Sequence, residues 1–145
     1  MAKLKIITVV IAPALYERFF TQNPVVNGCD LVCVDNREHH RRLPVIYKEM
    51  IARHLDADVW LLFVHEDYEI KDGLSVIDTL DPSFVYGTFG LNFENHSPAP
   101  YGRHVCSNKD GSRAVEVGHS ISEPVAVQTL DCQAVLVHTS LLRSN

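Results

Sequence analysis

The sequence predicts an α/β fold, in which a mainly parallel sheet is flanked by helices. Two apolar runs, residues 5–11 (KIITVVI) and 59–64 (VWLLFV), have the composition of strands that are covered on both faces. A third strand is predicted at residues 30–34 (DLVCV). Helical patterns at residues 14–22 and 43–55 separate these runs, so the order is β-α-β-α-β, which is typical of a parallel sheet.

The two helices rest on the spacing of their apolar residues. In the first, Leu15 and Phe19 lie four residues apart, and Asn23-Pro24 ends the pattern. In the second, the apolar positions recur at spacings of three and four, with Pro44 in the first turn, where a missing N–H is harmless. Those positions are Leu43, Ile46, Tyr47, Met50 and Ile51.

The second half has a different pattern. Residues 71–80 predict a short helix, and residues 84–93 and 125–137 predict strands. Residues 94–124 are polar and rich in Gly and Pro, which predicts an irregular region containing a small β-hairpin. Lys109-Asp110-Gly111 is the expected turn of that hairpin.

Length and composition indicate one globular domain over residues 1–145, with 46% hydrophobic and 21% charged residues. A net charge of −5 argues against nucleic acid as a partner. No run approaches the roughly 18 to 20 apolar residues that span a bilayer, and the first run is short for a signal peptide, so the expected location is cytoplasmic. The four cysteines are accordingly expected to be reduced thiols.

Ionisable residues follow two of the predicted strands directly. Asp35 comes after residues 30–34, and His65, Glu66 and Asp67 come after the most apolar run. The carboxyl ends of parallel strands share one edge, where ligands bind, so these side chains are expected to face one crevice. Carboxylates with a histidine suit a divalent cation, Mg²⁺ or Mn²⁺. The alternative is that strand ends carry polar residues only because they reach water.

Five stretches taken in order resemble the glycosyltransferase-like domains related to family 2, over nearly the whole chain. They are ITVVIAP, LVCVDN, LLFVHEDYEI, FVYGTFG and VAVQTLDCQAVLVHTSLL. The resemblance implies a GT-A-like (Rossmann-like) fold that binds a nucleotide-diphospho-sugar, uridine- or otherwise pyrimidine-linked, with a divalent metal. The implied reaction transfers the sugar to an acceptor hydroxyl in glycan biosynthesis.

The resemblance also implies roles for particular residues. Asp35 is expected to contact the nucleoside. Asp67 is expected to hold the metal together with His65, which replaces the first acid of the family's D-x-D element and is a poorer ligand for Mg²⁺ than for Mn²⁺. If strand alternation continues, Glu66 points to the opposite face. The expected nucleotide-sugar-binding residues are Pro13, Asp35, Asn36, Arg37, Glu66 and Asp67.

The catalytic base of the family follows a segment that here ends at Asn145, so no base is assigned. Asp131, in the "LDC" stretch, is a weak candidate that is expected near the sugar. The chain is then either a fragment of a longer enzyme or a degenerate, non-catalytic nucleotide-sugar-binding or assembly module. A truncated domain would expose apolar surface and associate with itself into a homo-oligomer.

Two polar regions leave alternatives open. The run from Arg37 to Arg42 either clamps a diphosphate or is a solvated loop. Residues 92–104, which include Asn95 and His96, either cover the acceptor side or form a surface excursion. A Gly-rich phosphate loop, a nucleophile elbow and an H-E-x-x-H motif are all missing from the sequence, which argues against dehydrogenase, ATPase and hydrolase functions.

Overall fold

The computed structural model describes residues 3–94, 97–107 and 114–143. The chain forms two compact units. Unit 1 comprises Met1–Val85 and Gln133–Asn145, and unit 2 comprises Tyr86–Cys132. Each unit is described separately, and the single nucleotide-sugar-binding domain over residues 1–145 stays a prediction.

Unit 1 contains the β-α-β-α-β order that the sequence predicts, followed by a return to the same sheet from the C-terminal segment. Its regular elements are β1 (Leu4–Val10), α1 (Pro13–Tyr16), β2 (Asp30–Asp35), α2 (Leu43–His54), β3 (Trp60–Val64), β9 (Ala134–His138) and α3 (Thr139–Arg143). Short 3₁₀ or π-helical turns add to these at Glu17–Thr21, Pro24–Val26 and Leu74–Thr79. The chain passes from unit 1 to unit 2 within β4 (Val85–Gly87).

The sheet of unit 1 is mixed, so the predicted GT-A-like, mainly parallel, helix-flanked sheet is wrong. β1 pairs in parallel with both β2 and β3, whereas β9 runs antiparallel to β3. The strand order is β2-β1-β3-β9-β4, and the second sheet is antiparallel. The prediction failed because an apolar run indicates that a strand is buried without indicating its direction.

The core of unit 1 lies between α2 and the sheet. Ile46 and Met50 of α2 pack in one cluster with residues of β1, β3 and β9, namely Ile7, Val9, Leu61, Phe63 and Val137. All five residues of β3 are buried, which confirms that this run is a strand covered on both faces. The rigid centre of the sheet therefore holds the ends of β1 and β3 in place.

Several predicted elements are shorter or divided. The helix predicted at residues 14–22 begins as α1 and continues as the π-helical turn Glu17–Thr21. The helix predicted at 71–80 is the 3₁₀ helix Leu74–Thr79. The strand predicted at 84–93 is divided into β4 and β5. The backbone geometry changes at each division. The periodicity of apolar residues does not report such changes.

Unit 2 is an antiparallel sheet in the order β7-β6-β5-β8, which overturns the expectation of an irregular region. Its strands are β5 (Gly90–Glu94), β6 (Ser97–Ser107), β7 (Ala114–His119) and β8 (Thr129–Leu130). β6 and β7 are the two antiparallel strands of the predicted hairpin, but they belong to a four-stranded sheet instead of an irregular region. The predicted turn at 109–111 lies outside the described residues, as do Asn95 and His96.

Two glycines explain why the sequence of β6 and β7 predicts an irregular region around the hairpin. Gly102 and Gly118 have positive φ angles of 87° and 78°. A Cβ on Gly118 would lie 2.1 Å from the carbonyl oxygen of Gly102, and a Cβ on Gly102 would lie 2.2 Å from that of Thr88. These glycines permit close approach of neighbouring strands, a role that the sequence alone does not separate from that of a turn glycine.

Two further expectations concern the chain as a whole. Cys29, Cys33, Cys106 and Cys132 are free thiols, as predicted. In the part of the chain that the structure describes, no helix combines the length and apolar composition needed to cross a bilayer.

Candidate functional site

The carboxyl ends of β1, β2 and β3 surround a cavity of about 230 Å³ in unit 1. The segments that follow all three strands contribute to its wall, and α2 contributes the remainder. The lining residues are Val9, Ile11, Leu15, Asn36, Arg41, Leu43, Tyr47, Val64, His65, Glu66 and Asp67. The edge that the sequence analysis identified therefore holds a cavity with both apolar and ionisable walls.

Asn36 organises the segment after β2. Its side chain, only 2% exposed, donates from Nδ2 to the carbonyl oxygen of Arg41 at 3.0 Å and accepts from the Arg41 N–H at 2.7 Å. The N–H of His40 donates to the Asn36 carbonyl at 3.2 Å, and His40 has a positive φ of 44°. Because both the oxygen and the nitrogen of its side-chain amide are hydrogen-bonded to the backbone, Asn36 fixes the shape of the loop that carries Arg41.

Asp35 lies beside the cavity, whose lining on this side consists of Asn36 and Arg41. Its carboxylate accepts from the Arg37 Nε at 2.9 Å and 3.0 Å and from the Arg37 N–H at 3.1 Å. These hydrogen bonds lower the pKa of Asp35 to about 2. Asp35 ends β2 and Asp67 follows β3, and both strands run parallel to β1. Asp67 lines the cavity, whereas Asp35 forms an exposed ion pair with Arg37 and is not among the lining residues, so the convergence of the two carboxylates stays a prediction.

Glu66 joins the segments that follow β3 and β1. Its Oε2 accepts hydrogen bonds from the N–H groups of Ile11 and Ala12, at 2.8 Å and 2.9 Å. Charge-assisted bonds of this kind are stronger than bonds between neutral groups. The half-buried carboxylate thus fixes one wall of the cavity. Strand alternation alone predicts only that Glu66 points to the face opposite to its neighbours.

His65 and Asp67 both line the cavity, on either side of Glu66 in the chain. The His65 N–H donates to the Gln133 carbonyl at 3.0 Å, and its carbonyl accepts from the Tyr68 N–H at 3.1 Å, so the backbone turns directly after β3. Among the described residues, no three His, Cys, Asp or Glu side chains are grouped to hold a metal ion. His65 and Asp67 are the two side chains that would hold the expected Mg²⁺ or Mn²⁺ together with oxygens of the ligand, so metal binding stays a prediction and no step is assigned to a metal.

The other candidate residues are not among those that line the cavity. Pro13 is exposed at the first position of α1, and Arg37 is engaged by Asp35. Asp131 belongs to unit 2, where its Oδ2 lies 3.7 Å from the His104 Nδ1. His104 also belongs to unit 2, so this contact lies within unit 2.

Arg41 and Tyr47 are lining residues that the sequence analysis did not assign to the site. Arg41 forms an ion pair with Glu49 of α2. The Tyr47 ring packs against Phe63, with 4.7 Å between ring centroids, and has the helical spacing of a core residue. Periodicity could not show that the same ring reaches the cavity. Arg41 belongs to the basic run that follows Asp35. The sequence leaves open whether this run binds a diphosphate or is a solvated loop, so it does not assign Arg41 to the site.

A second cavity of about 720 Å³ lies at the opposite, amino-terminal edge of β1, β2 and β3. Lys5, Asp30, Asp58 and Asp78 are among its lining residues. Lys5 and Asp30 form an ion pair with each other. This cavity provides an internal comparison for ligand-binding experiments.

No protein-family model matches the chain, and a search of curated proteins finds no similar sequence. The resemblance to family 2 glycosyltransferases therefore stays a prediction. Any proposal of function must rest on the residues that line the cavity and on the motifs that carry the resemblance.

Proposed function

We propose that unit 1 binds a nucleotide-diphospho-sugar, with the nucleoside in the cavity at the carboxyl ends of β1, β2 and β3. One observation carries this proposal: the same cavity is lined by an aromatic ring, an arginine and carboxylates, which come from different elements. A nucleotide combines a flat apolar ring, hydroxyl groups and anionic phosphates. Each of these parts has a matching group in the cavity wall.

The apolar part of the cavity suits a pyrimidine base. Tyr47 supplies an aromatic ring, and Leu15 and Leu43 supply aliphatic contacts. The volume of about 230 Å³ is below the roughly 300–1,000 Å³ of common small-molecule pockets, so the nucleoside fills it. The diphosphate and the sugar then extend past its mouth.

Arg41 is the group that favours an anionic ligand. Its guanidinium carries donors that match phosphate oxygens, and its backbone is held by Asn36. The ion pair with Glu49 lies on the exposed side of α2, where solvent weakens it and a phosphate can compete for the guanidinium. Asp67 accepts hydrogen bonds from hydroxyl groups, while its charge would repel phosphates placed beside it.

The reaction implied by the resemblance is transfer of the sugar to an acceptor hydroxyl, which requires a general base. The binding-module alternative is favoured by Glu66, because its carboxylate already accepts two backbone N–H groups within the cavity wall. The two functions differ in an assay of nucleotide release from the donor. Release that depends on an added acceptor supports a transferase, and tight binding without turnover supports a module.

Binding is tested by calorimetric titration of pyrimidine nucleotide-sugars, first in EDTA and then in Mn²⁺, so that binding by the protein's own groups is separated from binding that a cation assists. We expect Arg41→Gln to weaken binding by about tenfold, because one charge-assisted hydrogen-bonding group is lost. Asp67→Asn should alter affinity as well, since it changes the charge at the mouth.

The matched control is Asp78→Asn, which alters an exposed aspartate of the other cavity. We expect this variant to bind as the parent does. If no nucleotide-sugar binds, or if Arg41→Gln and Asp67→Asn both match the parent, the proposed function is wrong. A loss of binding in Asp78→Asn alone would assign the ligand to the amino-terminal edge instead.

A further inference from the structure

The turn that leads into β2 contains the one Asn-Gly pair of the sequence, Asn27-Gly28. The N–H of Cys29 donates to the carbonyl oxygen of Val26 at 3.0 Å, which closes a β-turn around this pair. Asn27 has a φ of −63° and a ψ of 126°, and Gly28 has a φ of 85°. These angles are those of a type II turn, in which glycine is favoured at the third position because φ is positive there.

The Asn27 side chain and the peptide bond that follows it are accessible. Both Asn27 and Gly28 are exposed. Within the described residues, neither the side-chain amide of Asn27 nor the N–H of Gly28 makes a hydrogen bond. A Cβ placed on Gly28 would meet no atom within 4 Å, so open space surrounds this part of the turn. The pair can therefore change conformation without losing a hydrogen bond of its own.

An asparagine side chain is an electrophile for the main-chain nitrogen that follows it. The Gly28 nitrogen adds to the Cγ of Asn27, and its proton leaves with the side-chain NH₂ group as ammonia, so that a cyclic succinimide forms. Water then adds to one of the two ring carbonyls and opens the ring. One product is aspartate, and the other is isoaspartate, whose main chain runs through the β-carbon. Water is the only co-reactant.

Ring closure requires the peptide plane between residues 27 and 28 to rotate, and Gly28 permits this rotation. Because glycine adopts φ angles of either sign, the plane can turn over at little cost. The hydrogen bond from Cys29 to Val26 is kept, since type I and type II turns share it and differ in the orientation of this plane. Glycine also has no side chain to obstruct the approach of its nitrogen to Cγ.

The other asparagines that unit 1 contains, Asn23 and Asn36, lack these features. Asn23 precedes Pro24, whose nitrogen carries no hydrogen, and its Nδ2 donates to the Ile70 carbonyl oxygen at 2.8 Å. Asn36 is 2% exposed, and both atoms of its amide are bonded to the backbone of Arg41. They provide controls within the same chain.

We propose that Asn27 is a site of spontaneous deamidation, through a succinimide with Gly28, in the folded chain. The reaction replaces a neutral amide by a carboxylate in the wall of the amino-terminal cavity, which Asn27 lines together with Asp30. The inference is independent of the nucleotide-sugar proposal, since neither Asn27 nor Gly28 lines the cavity at the carboxyl ends of the strands.

The test is peptide mapping by mass spectrometry after prolonged incubation of the folded full chain in mildly alkaline buffer. The peptide that contains residue 27 should gain the mass that distinguishes aspartate from asparagine, and it should divide into an aspartate and an isoaspartate form. Asn23 and Asn36 should keep their amides. Ion-exchange chromatography of the intact chain should show a product with one added negative charge.

The matched control is Asn27→Gln, which should keep the charge of the parent because a glutamine must close a larger ring and reacts more slowly. Gly28→Ala should slow the reaction, and circular dichroism checks its fold, since alanine is strained at a positive φ. A synthetic peptide of residues 24–31 provides the time scale. The proposal is overturned if the folded chain keeps its Asn27 amide after the peptide has been converted, or if Gly28→Ala reacts as fast as the parent.

Discussion

The two units differ in where their apolar side chains lie. Every buried side chain in the described part of the chain belongs to unit 1, including the apolar residues of β1 and β3. In unit 2, the buried residues are Gly90 and Gly102, which have no side chain, and Val105 and Phe93 are 50% and 54% exposed. Unit 1 is stabilised by core burial, whereas unit 2 depends on strand pairing.

This difference has a consequence for function. A cavity whose walls must keep their positions is better supported by the buried sheet of unit 1, since binding groups held by a rigid scaffold lose less freedom on binding. A sheet without a core of its own gains most from joining another sheet. The proposed ligand binding is thus placed in unit 1, whose buried sheet can support it.

The largest expected effect on the free energy of unfolding comes from a comparison of two substitutions, one in each unit. Val137→Ala removes methyl groups from the core cluster of unit 1, and we expect it to lower the free energy of unfolding by about 2 kcal/mol. Val105→Ala, at an exposed position of β6, should change it by less than about 0.5 kcal/mol. Urea denaturation at low protein concentration measures both. Equal losses would contradict the assignment of the core to unit 1.

Substitutions of two glutamates, one in each unit, test the same comparison with polar contacts. Glu66→Ala leaves the N–H groups of Ile11 and Ala12 without their acceptor, and we expect a loss of about 1.5 kcal/mol. Glu66→Gln retains an acceptor and should lose less. Glu116→Ala breaks an exposed ion pair of unit 2 and should have little measurable effect on the chain's unfolding. A larger loss of unfolding free energy in Glu116→Ala than in Glu66→Ala would contradict this difference between the units.

His54 gives unit 1 a pH dependence. Its Nε2 is buried and makes no hydrogen bond within the described residues, and burial, with Lys5 and Arg53 nearby, lowers the pKa of His54 below 6.5. The unfolded chain therefore binds a proton more readily, so this contribution to stability is complete above pH 6.5 and falls as the pH drops through the lower, folded pKa. Chemical denaturation on both sides of that pH should show the loss, and His54→Gln should reduce it.

The smallest expected effect concerns Asp35. Arg37→Gln removes the guanidinium hydrogen bonds, which contribute most to lowering the pKa of Asp35, while the bond from the backbone N–H of residue 37 remains. This pKa should therefore rise from about 2 part of the way towards its ordinary value of about 3.9. The contribution of the ion pair to stability is present above the ordinary pKa and lost as the pH falls through about 2. Because the pair is exposed, unfolding should change very little near neutral pH. Carboxyl-carbon NMR titration measures the shift, and an unchanged pKa would exclude Arg37 as its cause.

The sequence predicts the strands β1 to β3 and the helix α2 of unit 1 well, although not the arrangement of its sheet, because these elements carry strong apolar patterns. The apolar runs of β1 and β3 and the spaced residues of α2 each indicate one structure, and their ends locate the edge where the cavity lies. The antiparallel direction of β9 could not be predicted, because it depends on how the intervening chain returns. In unit 2 the sequence predicts the hairpin but not the extent of its sheet, because glycines that permit close strand approach resemble turn glycines.

The residues of the candidate site could likewise be predicted only in part from the sequence. The strand-end rule identified Asp35, His65, Glu66 and Asp67 as neighbours of one crevice, and the last three line the cavity. Asn36, which only the family resemblance named, lines it as well. Side-chain pairing decided the rest: Asp35 is engaged by Arg37, and the two N–H groups that Glu66 accepts come from a segment more than fifty residues away. Sequence spacing carries no information on such long-range hydrogen bonds.

The central claim is that the carboxyl ends of β1, β2 and β3 form one binding site for a nucleotide-sugar. Amide chemical-shift mapping during titration with a pyrimidine nucleotide-sugar tests it most directly. We expect the largest shifts at Arg41, Tyr47, His65 and Asp67, with β6 and β7 unchanged. Shifts confined to the amino-terminal cavity around Lys5 and Asp78, or none at saturating ligand, would contradict the account.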